Sequence, residues 1–570
     1  MTATTTTTPA PARLLRVAGS IRWRTRLGYG VFLAGLIYLV VVPLVHLQTL
    51  AFQDDARGYS AQYGRADIGQ TLRTTVYLGV MSLAIAMVLG TLLAFATSRL
   101  PARWRFLRVV PVLPIVMPAV ATVVGWAFLL SPGPGYLNAL LRLLPWWHGL
   151  ETGPVDVYSQ LWIILLTGFS LTSFVYLFVS AGMQGISSEH LEAARVSGST
   201  TVGVFFRVVL PLLRPSLIYG GGVALLLGLG QFTGPLLLGS QDNIKVLTTE
   251  MYRRTSESPS DFAAAAAAGS PLVILGLIIV FGQRLLLSNQ TRFVTHGGKA
   301  FKSAGGRAPW AVAAVLIYGL FALVLPITGL ILVALSPYWS EHLSWNLFTL
   351  ANFRHLLDTP AITASVATSV IASGVAVFIC VPVGFVAATL LVRGRRHPVL
   401  RLIGDIVTAL PLGIPAVIFG VGFLLTYTEP PLILYGTRTV IILVYVVLML
   451  PFATRMQMTG LLSLGETYAE ASAVAGASPL VTNLRIIVPL LRPVILSAVA
   501  LMFILLTHEF AASLLVRATT TQVMGTVLFD LWSNGSYPLV AAMALLMTVV
   551  TGLGVAIAML IGGRNVLDNL

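Results

Sequence analysis

Residues 192–215 read EAARVSGSTTVGVFFRVVLPLLRP, and residues 470–493 read EASAVAGASPLVTNLRIIVPLLRP. Glu192-Ala193-Ala194, Gly198, Leu210-Pro211 and Leu213-Arg214-Pro215 recur as Glu470-Ala471-Ser472, Gly476, Val488-Pro489 and Leu491-Arg492-Pro493, each 278 positions later. The same offset carries Gln231-Phe232 onto Glu509-Phe510. Upstream, Leu113-Pro114 and Pro118-Ala119-Val120 match Leu410-Pro411 and Pro415-Ala416-Val417 at an offset of 297. Repetition at a fixed spacing is the mark of a duplicated structural unit. The two offsets differ by the length of one connection, residues 131–160 against residues 428–438. Exposed loops tolerate such insertions.

What surrounds the repeated stretch is apolar. Of 570 residues, 56% are hydrophobic and 10% charged, and mean hydropathy is +0.88. A soluble domain carries about 25% charged residues, so most of this surface faces something other than water. Runs such as Val76–Ala96, Ala224–Gly239 and Trp310–Leu335 are nearly free of charge over the ~20 residues that a bilayer core requires. The pattern predicts an all-α integral membrane protein of about twelve transmembrane helices. The spans are expected near residues 28–47, 75–97, 109–130, 161–183, 216–239, 263–283, 310–336, 365–392, 402–427, 439–452, 494–516 and 539–562. They divide the chain into a tail (1–27), a six-helix domain (28–283), a Gly-rich basic linker (284–309), a second six-helix domain (310–562) and a short tail (563–570). The linker holds His296-Gly297-Gly298-Lys299 and Ser303-Ala304-Gly305-Gly306-Arg307. Two copies of an even number of spans enter the membrane in one orientation and can pair about an axis along its normal.

The net charge of +15 is a topology signal. With these spans, 25 of the 35 Lys and Arg fall on the side of the N-terminus, whereas 13 of the 20 acids fall opposite. Five arginines from Arg13 to Arg26 precede the first span, and Arg393, Arg395, Arg396 and Arg401 crowd one short loop. That is the positive-inside asymmetry, so both termini are expected in the cytoplasm of a bacterial cell, and no nucleic-acid partner is expected. The Thr-rich residues 2–12 read as disordered. The apolar run that follows is too long for a signal peptide and lacks a small-residue cleavage site, so a retained first helix is expected. The one cysteine, Cys380, lies in a span and reads as a small buried hydrophobe.

The repeated stretch itself sits in the longest loop on the N-terminal side of each half. Thr467-Tyr468-Ala469-Glu470 fits a capping box, and Ser187 or Ser188 can begin the corresponding helix of the first copy. Gly198 and Gly476 can adopt the left-handed conformation that ends each helix. Ser199-Thr200 and Ser478-Pro479 can start the next, with Pro479 suited to a first helical position.

Glu-Ala-Ala, three residues, Gly, nine residues and an aliphatic-x-Leu-Pro ending resembles the signature loop of permeases in binding-protein-dependent ABC importers. The match is Glu192-Ala193-Ala194, Gly198 and Val208-Val209-Leu210-Pro211, then Glu470-Ala471-Ser472, Gly476 and Ile486-Ile487-Val488-Pro489. Ser472 and Val488 depart from the pattern by conservative changes. The resemblance covers about residues 70–285 and 360–562 and implies two tandem type I permease domains in the inner membrane. It implies that each loop carries a coupling helix that docks on one of two cytoplasmic ATPase subunits, with one external or lipid-anchored substrate-binding protein. ATP and Mg would reside on the ATPases. This chain contains no Gly-x-x-x-x-Gly-Lys-Ser/Thr phosphate loop, and no enzymatic constellation is expected in it. Gln231-Phe232-Thr233-Gly234-Pro235-Leu236 with Val246–Tyr252 resembles, more weakly, fused permeases of the ferric-iron uptake group. Related permeases handle thiamine, aminoethylphosphonate and polyamines. The eight His and single Cys form no metal-ligand cluster, so selection of iron would fall to the binding protein.

The remaining candidates concern a translocation path between the halves. Pro111, Pro114 and Pro118, and Pro411 and Pro415, interrupt the third span of each half; proline kinks helices, either to line or gate a path or merely to pack. Glu509, beside His508, is an acid deep in the eleventh span, and such groups usually face a cavity or a partner. Its repeat mate is Gln231. The two residues, with Phe232 and Phe510 beside them, are expected to face each other across the domain interface, as a pathway or as a buried hydrogen bond. An ion-coupled secondary transporter, with His508 and Glu509 as its proton site, is the competing class; such folds have no need of twin Glu-Ala-Ala loops.

Overall fold

The computed structural model describes residues 12–186, 188–286, 308–394 and 397–562. Residues 2–11 of the Thr-rich tail, Ser187, the glycine-rich motifs of the linker, Arg395, Arg396 and the tail 563–570 lie outside the described residues. Among the described residues every regular element is helical. That follows from the solvent: hydrocarbon offers no hydrogen bonds, and a helix satisfies its backbone within itself.

Nine helices of the described residues are long and apolar enough to span a bilayer, and three sharply bent pairs bring the number to twelve. The first half comprises Arg26–Tyr63, Ile68–Ser98, Ala102–Ile115 with Ala119–Leu130, Gln160–Gln184, Arg214–Leu237 and Phe262–Gln283. The second comprises Pro309–Ala334, Pro360–Arg393, Pro398–Gly413 with Ala416–Thr426, Arg438–Leu464, Pro479–Leu490 with Arg492–Thr507, and Tyr537–Ile557. The chain is an all-α membrane protein of two tandem six-helix units. The side bearing residues 188–213 and 466–491 is here the motif side, and the opposite one the far side.

Four local expectations differ from the structure. The tenth span, expected over 439–452, continues to Leu464. Two of its polar residues find partners inside the protein: Arg455 donates to Asp405 (2.5 Å), and the amide nitrogen of the fully buried Gln457 donates to the carbonyls of Val381 and Ala453. The third and ninth spans are folded over by 94° and 109° rather than kinked. Pro118 and Pro415 stand at the two folds in matching extended conformations (φ −55°, ψ 135° and 143°). Pro114 lies in a short 3-10 turn before the first fold, and Pro411 is buried near the end of the helix before the second. The fifth and eleventh spans, expected over 216–239 and 494–516, each break, at Gly230–Phe232 and His508–Phe510. The last difference is the capping box at Thr467, which is not formed. The helix begins at Thr467 itself, with Glu466 in the capping position.

The first helix of each half reaches across to the other half. Arg26–Tyr63 packs on its own half's Phe262–Leu286 and also on Pro398–Gly413 and Ala416–Thr426 of the second. Reciprocally, Leu325–Ala334 packs on Tyr537–Gly562 and on Ala119–Leu130 of the first half. Close approach is made possible by glycine. An added Cβ at Gly125 would stand 2.4 Å from the Pro326 carbonyl oxygen, and one at Gly422 would stand 2.9 Å from that of Pro43. The largest hydrophobic cluster accordingly runs without interruption through both halves, from Leu36 to Met547.

Three short π-helical turns, Phe205–Val209, Leu320–Val324 and Asn483–Ile487, each end two residues before a proline: Pro211, Pro326 and Pro489. Proline lacks an N–H and crowds the carbonyl four residues back. Widening the preceding turn relieves both problems. Two of the three turns fall at equivalent positions of the repeat, inside the motif loops.

Candidate functional site

Each motif loop is a short helix, a left-handed glycine and a second short helix leading into the fifth span of its half. In the first copy the helix Ser188–Val196 ends at Gly198, whose φ is +81°. The Ser199 N–H reaches back to the Ala194 carbonyl at 3.0 Å. In the second, Thr467–Val474 ends at Gly476, φ +79°, and the Ala477 N–H reaches the Ser472 carbonyl at 3.1 Å. A positive φ suits glycine because a Cβ is penalised there. The next helix is capped in both copies: Thr200 accepts from the Gly203 N–H (3.2 Å), and Ser478 accepts from the Val481 N–H (3.4 Å).

The departure at Ser472 has a partner. Ser472 and Thr482 are both buried, with their hydroxyls 2.8 Å apart. At the equivalent places of the first loop stand Ala194 and Val204, packed in an apolar cluster. Where one copy places a methyl and an isopropyl group in one apolar cluster, the other has a hydroxyl pair. Each loop is pinned to the end of its half's second span by different chemistry. Phe95 packs on Phe205 (ring centroids 4.6 Å apart), whereas Arg393 donates to the Asn483 side chain (3.2 Å).

What the loops expose is apolar and repeated. Val196 and Val474 are 90% and 91% exposed. Val202 and Leu480, then Phe206 and Leu484, are also exposed, each pair 278 positions apart. Beside them Glu192, Ala193, Glu470 and Ala471 are exposed, Leu210, Pro211 and Val488 half-buried, and Pro489 exposed. Large apolar side chains placed in the open at equivalent sites mark a surface meant to be covered. Sequence reading missed these residues, although the 278-residue offset would have paired them.

The second set of candidates meets between the halves. At the break of the fifth span, the Thr167 hydroxyl donates to the Gln231 side-chain oxygen (2.8 Å) and Thr248 to its backbone carbonyl (2.6 Å). At the break of the eleventh, Glu509 accepts from the N–H groups of Ala512 (2.8 Å) and Ser513 (3.0 Å) and from the Ser513 hydroxyl (2.6 Å). Glu509 thus caps the short helix Ala511–Val516, and Tyr445 completes the network through Ser513 (2.9 Å). The expected pairing of Gln231 with Glu509 is not made: each bonds within its own half, because each break exposes local groups that need a partner. The Gln231 amide nitrogen and His508 Nδ1 are buried without a hydrogen-bond partner. The residues that do meet are the neighbouring rings. Phe232 and Phe510, each 3% exposed, lie with centroids 5.6 Å apart.

Two short helices close over this point on the far side, Leu247–Ser256 and Met524–Ser533; the first contains most of the Val246–Tyr252 stretch singled out in the sequence, whose helical form was not read there. Both start alike: Thr249 and Thr526 bond back to Val246 and Val523, and the N–H groups of Leu247 and Met524 donate to hydroxyls of the second spans, Thr75 (3.0 Å) and Ser369 (2.8 Å). Ion pairs then hold each helix. The buried Glu250 carboxylate meets Arg65, Arg253 and Arg254, and Asp67 binds Arg65 and Lys245, both at 2.9 Å. The hydrogen bond from Lys245, with the charges of Arg65 and Lys245, holds the Asp67 carboxyl below its usual range. In the second half Arg517 grips Asp530 with both nitrogens (2.7 and 2.8 Å). Among the described residues no group of three or more His, Cys, Asp or Glu is placed to hold a metal ion.

Comparison with known proteins finds relatives along most of the chain. The chain is 24% identical over 532 residues to the ferric transport system permease protein FbpB of Actinobacillus pleuropneumoniae, covering 90% of this chain and 75% of that one. It is 27% identical to the probable ABC transporter permease protein y4fN of Sinorhizobium fredii, over 84% of this chain and 85% of that one. A shorter match, 29% over 210 residues, is to the sn-glycerol-3-phosphate transport system permease protein UgpA of Agrobacterium fabrum (32% of this chain, 70% of that one). The model of one family fits twice, over residues 86–292 and 380–565, once in each half and across each motif loop. The chain therefore belongs to the binding-protein-dependent transport system inner membrane components.

Proposed function

We propose that this chain is a fused permease of an ATP-driven importer, with cytoplasmic motif loops that take up the motion of two separate ATPase subunits. The observation that carries this reading is the pair of loops with equivalent exposed apolar tips, Val196 and Val474. Two grooves on two ATPase copies would cover them, and ATP and Mg would be held there rather than here. The charge asymmetry supports a cytoplasmic motif side and cytoplasmic termini. A single external binding protein would deliver solute to the far side, above the interface where the broken spans meet. Nucleotide-driven closure of the ATPases would then move the two loops together and rock the halves about that interface.

For the cargo we propose ferric iron. The support is that the relative named for ferric transport aligns over 90% of this chain, whereas the glycerol-phosphate relative aligns over 32%. Iron would reach the path already selected and bound by the external protein. The test is uptake into proteoliposomes holding the permease, its ATPase and ATP, with the binding protein outside. ATP-dependent accumulation of radioactive iron is expected, unaffected by excess glycerol 3-phosphate. Uptake driven by an ion gradient without ATP would reject the importer reading. ATP-driven uptake of another solute, with none of iron, would reject only the cargo.

A further inference from the structure

Four aromatic rings form a closed cycle where the two halves meet. Phe232 lies 5.6 Å from Phe510, Phe510 5.8 Å from Phe529, Phe529 6.1 Å from Tyr252, and Tyr252 5.9 Å from Phe232. Two rings come from each half, and the repeat relates them: Phe232 to Phe510 at an offset of 278, Tyr252 to Phe529 at 277. We infer that this quartet is the outer seal of the translocation path, and that the helices Leu247–Ser256 and Met524–Ser533 are the levers that open it. The inference rests on the importer reading above.

The arrangement has two layers. Phe232 and Phe510 are buried and sit directly at the breaks of the fifth and eleventh spans. A broken helix lets a ring project from a point where the backbone has turned, and the turn can be altered without bending a continuous helix. Tyr252 and Phe529 are partly exposed and ride on the two far-side helices. Each of those helices carries an ion pair beside its ring: Glu250 with Arg65, Arg253 and Arg254, and Asp530 with Arg517. A partner that docks on the far side meets these helices first. Moving them apart separates Tyr252 from Phe529 and uncovers the inner pair.

Rings suit a reversible seal. They bury a large area with few rotatable bonds, and edge and face contacts tolerate small shifts of one half against the other. Three of the four contacts are tilted by 35° to 76° and one is perpendicular, so no pair is stacked face to face. Adjoining the inner pair in the chain, at the same two breaks, are Gln231 and His508, whose amide nitrogen and Nδ1 are buried without a partner. On this inference, a solute that passed the rings would meet them next.

The test uses spheroplasts carrying the whole transporter with Cys380→Ala as background. Gln231→Cys is exposed from outside to a membrane-impermeant cationic methanethiosulfonate, with Ser260→Cys in the far-side loop as the accessible reference. With the four rings intact, no labelling at 231 is expected while 260 reacts to completion. With Phe232→Ala and Phe510→Ala added, labelling at 231 should rise to the rate of the reference. Equal labelling with the rings present, or none after their removal from a complex that still elutes as a folded species, would overturn the inference. Should the double alanine variant not fold, the outer pair decides. Tyr252→Cys with Phe529→Cys, bridged by a short reducible bis-methanethiosulfonate, should stop uptake and release it again on reduction, while ATP hydrolysis continues. Undiminished uptake after complete bridging also overturns it. The labelling arm needs no transport, so failure of the importer reading would show separately, as uptake without ATP dependence in the unbridged parent.

Discussion

Gly125 lies against the Pro326 backbone so closely that a Cβ on it would stand 2.4 Å from the proline carbonyl oxygen. The first residue belongs to the third span of one half and the second to the first helix of the other. The same crossing is made in reverse by Gly422 and Pro43. A backbone oxygen cannot swing aside as a side chain can, so filling this space must push a whole helix. Overpacking of this kind costs about 1–3 kcal/mol. Gly125→Val is expected to lower the thermal midpoint of the purified protein and its folded yield. Gly374→Ala, in a helix where an added Cβ meets nothing within 4 Å, should be neutral or slightly stabilising. Thermal unfolding followed by detergent gel filtration distinguishes them, and equal behaviour of the two variants would remove the crossing from the account of stability.

The hydroxyl pair of Ser472 and Thr482 invites a double-mutant cycle. Ser472→Ala leaves Thr482 a second partner, the Ser478 carbonyl at 3.0 Å, so the loss should be about 1 kcal/mol, that of one ordinary hydrogen bond. Ser472→Ala with Thr482→Val restores the apolar pair already used at Ala194 and Val204. The double variant should recover most of the stability lost by the single one. Strict additivity in chemical denaturation would mean that the hydroxyls do not act as a pair.

At Gly198 and Gly476 the obstacle to substitution is conformational only. An added Cβ would meet no atom within 4 Å at either place, yet φ is +81° and +79°. A left-handed non-glycine residue costs roughly 1–2 kcal/mol, and β-branched residues are the least tolerant. Val at either site is expected to reduce ATP-dependent uptake with membrane insertion retained, and Asn to reduce it less. Normal uptake by both Val variants would show that the loops do not transmit motion through this turn.

The repeat, the twelve spans and the motif loops were legible because each is written in local sequence: apolar length, a glycine at a helix end, a fixed offset. The break at Glu509 was not. An acid flanked by His508 and Phe510 reads as an intramembrane charge, and only the structure shows that the chain turns there and presents Ala512 and Ser513 N–H groups to it. The reach of Leu325–Ala334 across to Ala119–Leu130 was equally hidden. It depends on Gly125, one of 52 glycines, meeting a carbonyl some 200 residues away in sequence. The meeting of Tyr252 with Phe529 was hidden too, because each sits on a helix of ten residues, too short to register as a span.

The Asp67 network should give the far-side helix a pH signature. Its carboxyl pKa is depressed, first by the hydrogen bond from Lys245. A depressed carboxyl stabilises the folded form fully above its unfolded pKa, near 3.9, and the contribution disappears as pH falls through the lower folded value. The group is near the surface, so the effect is small and screened by salt. Hydrogen exchange in residues 247–256 is expected to be faster in Asp67→Asn than in the parent at neutral pH. The difference should close only below pH ~4. A difference that vanished near pH 6 would point to a histidine instead.

Glu509 separates two roles that a single substitution would confuse. As a cap it supplies two oxygens, one to the Ala512 N–H and one to Ser513, at 2.6–3.0 Å. Gln keeps one accepting oxygen and replaces the other with a donor, which would face the Ser513 N–H and could be met only by rotation of the Ser513 hydroxyl. Leu keeps neither. Leaving a buried donor unsatisfied costs about 1–3 kcal/mol, so Glu509→Leu is expected to lower folded yield, and Glu509→Gln to lower it less. If capping is the whole of its role, uptake per folded complex should stay near the parental rate in the Gln variant, as the Gln231 of the other half already suggests. If the carboxylate charge also serves a cationic cargo, Glu509→Gln should fold at near-parental yield yet lose uptake by more than about tenfold, equivalent to 1.4 kcal/mol on the barrier. Uptake normalised to folded complex, with binding protein saturating, tells the two apart. The carboxylate is already engaged by backbone N–H groups, and a ligand would have to displace them; we therefore expect the capping outcome.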